Sequence, residues 1–448
     1  MSLFDEACQL DRQGSTEAAR DAYLRVLQQD FGHAGALANL GALLSAGGYT
    51  SAARTVYAQA VAAHPDSAAA RVNLANLLRL AGEFDLAQCH YAHALLLDPD
   101  CAEAHQGLAA LLEDTDPQAA ADHRARGFAG VRLHSSIYRG AGPPRIVLQL
   151  ISARGGNIPT RQILDPHQFL THTIAAEFAD PDAPLPPHHI VFNAIGEADR
   201  CREALDAGAR ILAKTRAAIV NPPERVAATT RLEVARRLGA LPGVVAPAMR
   251  IVPRSSLAHG PPEGFALPFL LRSPGFHTGQ HFHRVETADA LAAIAATLPG
   301  GDALCIECLD AREPDGGFHK YRVMFVGGEC LPLHYAVSGD WKVHYFTADM
   351  ADRPTARARE ARFLADMPGV LGGAAMATLA DIAATLGLDY AGIDFALAPD
   401  GRILLFEANA AMVIADPMPG PLGEYRRPAV ERARAAVQQV LRKEAVLF

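Results

Sequence analysis

The sequence predicts three kinds of structure in succession: an α-helical repeat array, an α/β region, and an α+β region with two lobes. A motif recurring every 34 residues predicts the first. A change after residue 144 from helical periodicity to short β-rich runs that alternate with helix predicts the second. Hairpin patterns in the last third, notably around Pro399-Asp400-Gly401, predict the third.

In the repeat region, Leu40, Leu74 and Leu108 are each followed by a small residue, Gly41, Ala75 and Ala109, and then by Leu44, Leu78 and Leu112. Ala19, Ala53 and Ala87 recur with the aromatics Tyr23, Tyr57 and Tyr91 four positions later, and prolines recur at Pro65 and Pro99. Each unit reads as two amphipathic helices that cross closely at the small residues, with a bulky side chain in the next groove. The Pro-Asp pairs at 65–66 and 99–100 stop each second helix. This pattern resembles the tetratricopeptide repeat, with about three units and a terminal helix over residues 1–126. The resemblance implies an open solenoid whose concave face binds an extended peptide or protein. Dimerising the chain or bracing its second half is the alternative use.

Residues 127–144 read as a linker, with Gly127, Gly130, Gly140 and Gly142 before Pro143-Pro144. Arg145-Ile-Val-Leu-Gln-Leu-Ile151 and His189-Ile-Val-Phe-Asn193 then read as parallel strands, with a helix from about Glu197 to Gly208. Gly155-Gly156 reads as a turn that admits an acceptor substrate to the backbone, or as a plain surface turn, because a full phosphate-loop pattern is missing.

The informative stretch runs from Leu386 to Asn409. If Asp400-Gly401 is a two-residue turn, Phe395 meets Phe406, Leu397 meets Leu404, Ile393 meets Ala408, and Asp394 lies across from Glu407 with Asn409 on the same face. A three-residue turn would move Asp394 to the other face unless a second bulge compensated. Two opposed carboxylates repel and call for a cation between them. Oxygen donors of this kind, completed by water and phosphate, suit Mg²⁺. Upstream, Phe269-Leu-Leu-Arg272 runs into a loop with Gly275 and Gly279, Ala303 to Glu307 is a strand that turns into polar Asp310, and Tyr321-Arg322-Val-Met-Phe-Val-Gly327-Gly328 is a hairpin strand carrying a lone arginine. An arginine on an otherwise apolar strand needs an anion, either phosphate or a local carboxylate.

In this order these pieces resemble the ATP-grasp superfamily, most closely its ribosomal-S6-modification and glutathione-synthetase-like ligases, over about residues 145–420. The resemblance implies a pre-ATP-grasp α/β subdomain at 145–230, nucleotide-binding and catalytic lobes at 231–420 and a helical tail at 421–448. It implies that Glu407 bridges two Mg²⁺ ions while Asp394 and Asn409 each complete one. Arg272 would reach the α- and β-phosphates of ATP and Arg231 would stand near the start of the first lobe, each where the family usually has lysine. The loop through Ser273, Gly275, His277 and Gly279 would cover the phosphates. Glu307, Cys308 and Leu309 would pair with adenine through their backbone, and Asp310 with the ribose. Arg322 would stabilise the transferring phosphoryl group, with Lys342 as a second cation. The implied activity is an ATP-dependent carboxylate–amine ligation through an acyl phosphate, with the peptide or protein substrate recruited by the repeats. Phosphoryl transfer to a hydroxyl and a nucleotide-binding scaffold without turnover are the alternatives.

Composition narrows the rest. The net charge of −8 argues against non-specific nucleic-acid binding, which relies on basic surface. Of 41 basic residues four are lysines, Lys214, Lys320, Lys342 and Lys443, so arginine stands in for lysine widely. Seven cysteines do not make a disulfide framework, and Cys305 and Cys308 lack the second pair that a zinc site needs. His277, His281 and His283 read as contacts to phosphate or substrate, or as solvated residues, rather than as transition-metal ligands. With neither a secretory leader nor a membrane span in the pattern, the expected location is cytoplasmic, and a homo-oligomer is left open.

Overall fold

The computed structural model describes residues 1–130, 133–275, 281–313, 316–344, 348–418, 420 and 422–443. The chain divides into two compact units, one of Met1–Ile146, Ala153–Gly155 and Asp165–Ala183, the other of Val147–Ser152, Gly156–Leu164 and Pro184–Phe448.

The first unit begins with eight helices: α1 (Leu3–Arg12), α2 (Thr16–Gln29), α3 (Ala34–Ala46), α4 (Thr50–Ala63), α5 (Ala68–Leu80), α6 (Phe84–Leu97), α7 (Ala102–Leu112) and α8 (Pro117–Phe128). They pack as four helix pairs in a tetratricopeptide-like array, one helix more than the expected three units and terminal helix. Whereas Ala19 and Tyr23 of α2 keep their positions, the first helix fell outside the leucine pattern because Glu6 stands at the position that Leu40, Leu74 and Leu108 occupy. Ala7, one residue on, keeps the small-residue position and is fully buried.

Small residues are required at the crossings. A side chain on Gly41 would meet the ring of Tyr57 at 2.3 Å, and one on Gly107 would meet Tyr91 at 2.2 Å. Ala19, Ala53 and Ala87 are fully buried. Side chains cap the starts of α1, α3, α5 and α8; at α1 Ser2 accepts from the Asp5 N–H at 3.1 Å while Asp5 accepts from the Ser2 N–H at 3.0 Å. Asp116 accepts from the Ala119 N–H ahead of Pro117 at the first turn of α8.

Beyond α8, which reaches two residues into the expected linker, β1 (His134–Ser135) pairs antiparallel with β3 (Phe169–Ala175), two strands that the sequence pattern did not signal. Phe178, just past β3, stacks on Phe128 at the end of α8 with 5.3 Å between ring centroids.

In the second unit β2 (Arg145–Ile151), β4 (Ile190–Asn193) and β5 (Ala218–Val220) run parallel, with Val147 beside Ile190 and Ile190 beside Ala218. The helix expected at 197–208 is instead α9 (Arg202–Leu212). It starts later because Gly196 and Glu197 donate their N–H groups to the Gly156 carbonyl at 2.9 and 3.1 Å, which holds that segment as a loop. Gly156 has φ +66°, and a side chain there would strike Glu197 Cβ at 2.6 Å. Local packing therefore accounts for this glycine, where sequence suggested approach of a substrate.

The chain continues through α10 (Pro223–Ala227), α11 (Arg231–Leu238) and β6 (Val244–Val245). A four-stranded antiparallel sheet follows in the order β7 (Met249–Pro253), β10 (Asp302–Glu307), β8 (Phe269–Arg272), β9 (Phe282–Val285), with α12 (Ala288–Thr297) against it. A five-stranded sheet has the order β12 (Glu329–Ser338), β11 (Phe318–Val326), β13 (Tyr390–Leu397), β14 (Ile403–Asn409), β6. The helices α13 (Pro354–Ala365) and α14 (Met367–Leu386) pack beside β12, as does the tail helix α15 (Arg427–Arg442). By length and composition α14 is apolar enough to cross a membrane, which the sequence pattern did not suggest. It buries Leu371, Ala375, Leu379, Ile382 and Leu386, and Gly372 interrupts it with φ +81°.

One buried amide ties the parallel strands to the five-stranded sheet. Asn221, fully buried with φ +56°, donates to the Tyr390 carbonyl at 2.7 Å and accepts from the Tyr390 N–H at 2.9 Å, in the manner of a missing strand partner. Since each orphaned buried group costs about 1–3 kcal/mol, Asn221→Ala is expected to lose about 2–4 kcal/mol in denaturant unfolding. A loss under about 1 kcal/mol would show that the amide is dispensable.

Candidate functional site

The hairpin of β13 and β14 sets the site, and its register differs from the expected one at the turn while agreeing at the carboxylates. Ala398 donates to the Arg402 carbonyl at 2.9 Å, so the loop is the three residues Pro399, Asp400 and Gly401, with Gly401 at φ +84°. Near the turn Leu397 is opposite Ile403, Ala396 opposite Leu404 and Phe395 opposite Leu405, which corrects the expected Leu397–Leu404 and Phe395–Phe406 pairs. The register then shifts between Asp394 and Phe395, and beyond it Asp394 faces Glu407, Ile393 faces Ala408 and Gly392 faces Asn409. Phe406 is the extra residue, half-buried against Ala311, Ala396 and Leu404 with Leu309 nearby. The longer turn and the bulge cancel, and Asp394 and Glu407 stay opposite each other.

Asp394 is 3% exposed. Lys320 Nζ donates to its Oδ2 at 2.8 Å, and Arg322 donates through Nε to Oδ1 at 2.6 Å and through Nη2 to Oδ2 at 2.8 Å. Arg322 lies directly across from Asp394 in the β11–β13 ladder, and Lys320 is two residues away on the same face of β11. Burial works against ionisation of Asp394, but Arg322 and Lys320 outweigh it and hold the carboxyl well below the usual range. On the other side of β11, Arg322 is opposite His334, whose imidazole is kept neutral by burial and by the Arg322 charge.

Glu407 is more open, with its side chain 32% exposed. Its Oε1 accepts from Arg231 Nη2 at 3.2 Å and from Asn409 Nδ2 at 3.0 Å, while Asn409 Oδ1 accepts from the Ala411 N–H at 2.9 Å. Arg231 is the first residue of α11, and its N–H donates to Asp199 at 3.1 Å. Burial opposes the Arg231 charge, yet Glu407, Glu197 and Asp199 outweigh it and raise its pKa. These groups line a small surface cleft together with Thr229 and Met249.

Arg272 closes β8, buried to 8% exposure, with its guanidinium 5.2 Å from the Phe282 ring. Its Nε and Nη2 have no hydrogen-bond partner among the described residues. Burial and then the nearby Arg231 pull its pKa down to about 10, offset by Glu407, Glu197 and Asp199. A buried guanidinium with free N–H groups is a receptor for an anion.

The remaining expected residues are placed as follows. Ser273 is buried and donates to the Pro299 carbonyl at 2.9 Å, and Gly275 has φ +78°. His277 and Gly279 lie outside the described residues. Glu307 uses its carboxylate to accept from the Ala248 N–H at 2.9 Å, and its own N–H donates to the Ala248 carbonyl at 2.8 Å. Cys308 is half-buried, with its thiol pushed up by burial, and Leu309 packs near Phe406. Asp310 is exposed and accepts from Arg312 Nε at 2.8 Å and Nη2 at 2.5 Å. Lys342 is half-buried beyond β12, near enough for its charge to lower the His283 pKa after burial has done so.

The structure therefore brings Arg231, Arg272, Glu407 and Asn409 together, and joins Arg322 to Asp394. It adds three residues that the sequence reading missed. Lys320 had a usable signal, since it is one of four lysines and sits two positions from Arg322 on a strand. Glu197 and Asp199 had none, because their closeness to Glu407 comes from the fold alone.

Among the described residues there is no group of three or more His, Cys, Asp or Glu placed to hold a metal ion. Glu407 and Asn409 do offer oxygen donors at the cleft, and an oxygen-only donor set completed by water and phosphate fits Mg²⁺.

Replacing Arg272 by methionine removes a buried charge with unpaired N–H groups, so Arg272→Met is expected to be more stable than the wild type by about 1–3 kcal/mol without added anions. If the site takes ATP with Mg²⁺, the same variant should show a smaller rise in melting temperature with them than the wild type. Scanning calorimetry with and without the nucleotide checks both, and an Arg272→Met protein that is stabilised by ATP as strongly as the wild type would remove Arg272 from the site.

No protein-family model matches the chain, and no curated protein matches it. Solved structures that match include MamA from Desulfovibrio magneticus, at 24% identity and a TM-score of 0.26, covering 28% of this chain and 72% of that one. PilF from Pseudomonas aeruginosa matches at 19% identity and a TM-score of 0.27, covering 28% of this chain and 59% of that one. An O-GlcNAc transferase variant from Thermobaculum terrenum matches at 21% identity and a TM-score of 0.29, covering 53% of this chain and 43% of that one. Matching structures also include tetratricopeptide-repeat proteins from Parabacteroides merdae and Thermus thermophilus, and the likeness falls on the amino-terminal part of the chain.

Proposed function

We propose that the chain is an ATP- and Mg²⁺-dependent carboxylate–amine ligase of the ATP-grasp type, acting through an acyl phosphate on a peptide or protein recruited by the repeat array. The observation that carries this reading is the gathering of Arg231, Arg272, Lys320 and Arg322 around Asp394 and Glu407. Four cations on rigid strands and a helix start, beside an open cleft, suit a site that must hold two anions against each other.

In such a reaction a substrate carboxylate oxygen attacks the γ-phosphorus of ATP, the bond to the bridging oxygen breaks, and ADP leaves. The amine then attacks the acyl carbon, phosphate departs, and the nitrogen gives up a proton. Arg272 would bind phosphate oxygens through its unpartnered N–H groups. Arg322 would hold positive charge opposite the transferring group, with its guanidinium fixed in plane by Asp394. Arg231 would keep Glu407 ionised and aimed at the cleft. Mg²⁺, held by Glu407 and Asn409, would neutralise charge on the phosphates.

The repeats support a macromolecular substrate. A helical solenoid that cannot close on itself presents an extended surface, and docking on it raises the effective concentration of a tethered peptide at the catalytic unit. Transfer of phosphate to a hydroxyl would use the same cations, and the two outcomes differ in the mass of the product.

ADP release by the full chain with fractionated cell extract as substrate source tests the reading. The wild type is expected to turn over and yield a condensation product, and Glu407→Gln is expected to fall at least about 100-fold, as removal of a group that organises transition-state charge does. Equal turnover in Glu407→Gln, or tight ATP binding with no turnover on any fraction, would defeat the ligase reading.

A further inference from the structure

Asp394 and Glu407 face each other on adjacent strands but differ in what already occupies them. The Asp394 side chain is 5% exposed, and both its oxygens are taken by three charge-assisted N–H donors from Lys320 and Arg322. The donors come from the neighbouring strand at fixed ladder positions, Arg322 directly across and Lys320 two residues along, so backbone pairing and not a loop sets the geometry. Two cations against one carboxylate leave net positive charge there, and the Lys320 and Arg322 side chains are 12% and 20% exposed.

Glu407 is 32% exposed, lines the cleft, and shares its Oε1 between one guanidinium and one amide. A divalent cation reaching Asp394 would have to displace two strand-held donors from a buried carboxylate and then sit beside two like charges. One reaching Glu407 meets an accessible carboxylate with Asn409 next to it.

We propose that Asp394 is the shared counter-ion of Lys320 and Arg322 and not a metal ligand, so that the site takes one divalent cation per nucleotide, on Glu407 and Asn409. The Lys320–Asp394–Arg322 triple then supplies fixed positive charge in place of a second ion. Lys320 and Asp394 are positioning residues in this scheme, because they act by holding Arg322 and its charge still. The inference rests on the nucleotide-binding reading above and adds to it the number of ions.

The test uses the full chain with Mn²⁺ and the β,γ-imido analogue of ATP, whose bound amount is read from its own absorbance. Equilibrium dialysis is expected to give one Mn²⁺ per bound nucleotide, and the electron paramagnetic resonance spectrum is expected to be the six-line signal of an isolated ion. Two Mn²⁺ per nucleotide with a spin-coupled spectrum overturns the proposal. Asp394→Asn should keep one Mn²⁺ with affinity within about threefold of the wild type, whereas Glu407→Gln should weaken Mn²⁺ by at least about tenfold. A folded Asp394→Asn that binds the analogue but loses Mn²⁺ also overturns it. The wild-type count and spectrum need no variant, so the proposal stands or falls even where Asp394→Asn folds poorly. A wild type that binds none of the analogue defeats the ligase reading itself, and is told apart from a wrong ion count by the nucleotide measurement alone.

Discussion

A buried carboxylate on a central strand is costly unless cations meet it, and the five-stranded sheet is organised around meeting that cost at Asp394. Arg322 and Lys320 reach it from β11, and the hairpin with β14 brings Glu407 opposite. Leaving such a charge without its partners costs about 3–5 kcal/mol, a large share of a typical domain's net stability. The register of β11, β13 and β14 is therefore constrained by charge as well as by the apolar residues between them. Ile393 and Phe395, flanking Asp394, are fully buried, so a slip by one residue would set an apolar side chain against Arg322 and Lys320 and turn the acid away from both.

The same economy appears at the tail. Glu360 on α13 is fully buried and meets Arg426, the N-cap of α15, at 3.2 Å while accepting from the Tyr335 N–H, also at 3.2 Å. Burial raises the Glu360 pKa to about 7 against the pull of Arg426. These contacts fix the carboxy-terminal helix to α13 and β12, the strand next to β11. The strand that presents Lys320 and Arg322 is thus buttressed from behind by groups far along the chain.

Much of the repeat array was legible because its information is local and repeated. The small residues, the tyrosines and the proline stops recur at one period, and the structure places them at crossings, in grooves and at helix ends. The first helix was hidden because Glu6 stands where the later repeats have leucine, while Ala19 and Tyr23 of α2 kept the period. In the hairpin the Asp394–Glu407 pairing was legible, but the pairs nearer the turn were not. The pattern of alternating residues does not distinguish a two-residue turn from a three-residue turn followed by a compensating bulge at Phe406. The hydrogen bonds that the Glu307 and Asp310 side chains make, with the Ala248 N–H and Arg312, were also not legible in the sequence.

By itself the sequence determined the helical repeats, the parallel strands at 145–151 and 190–193, and the presence of oxygen-bearing and cationic side chains on strands of known facing. Period and alternation suffice for these, because each depends on residues within a few positions of one another. Only the tertiary structure decided that Asp394 is filled by Lys320 and Arg322, that Glu407 meets Arg231, and that Glu197 and Asp199 share the cleft with them. Electrostatic partners are chosen by distance in space, and the strands and helix that carry these residues are brought together from across nearly half the chain.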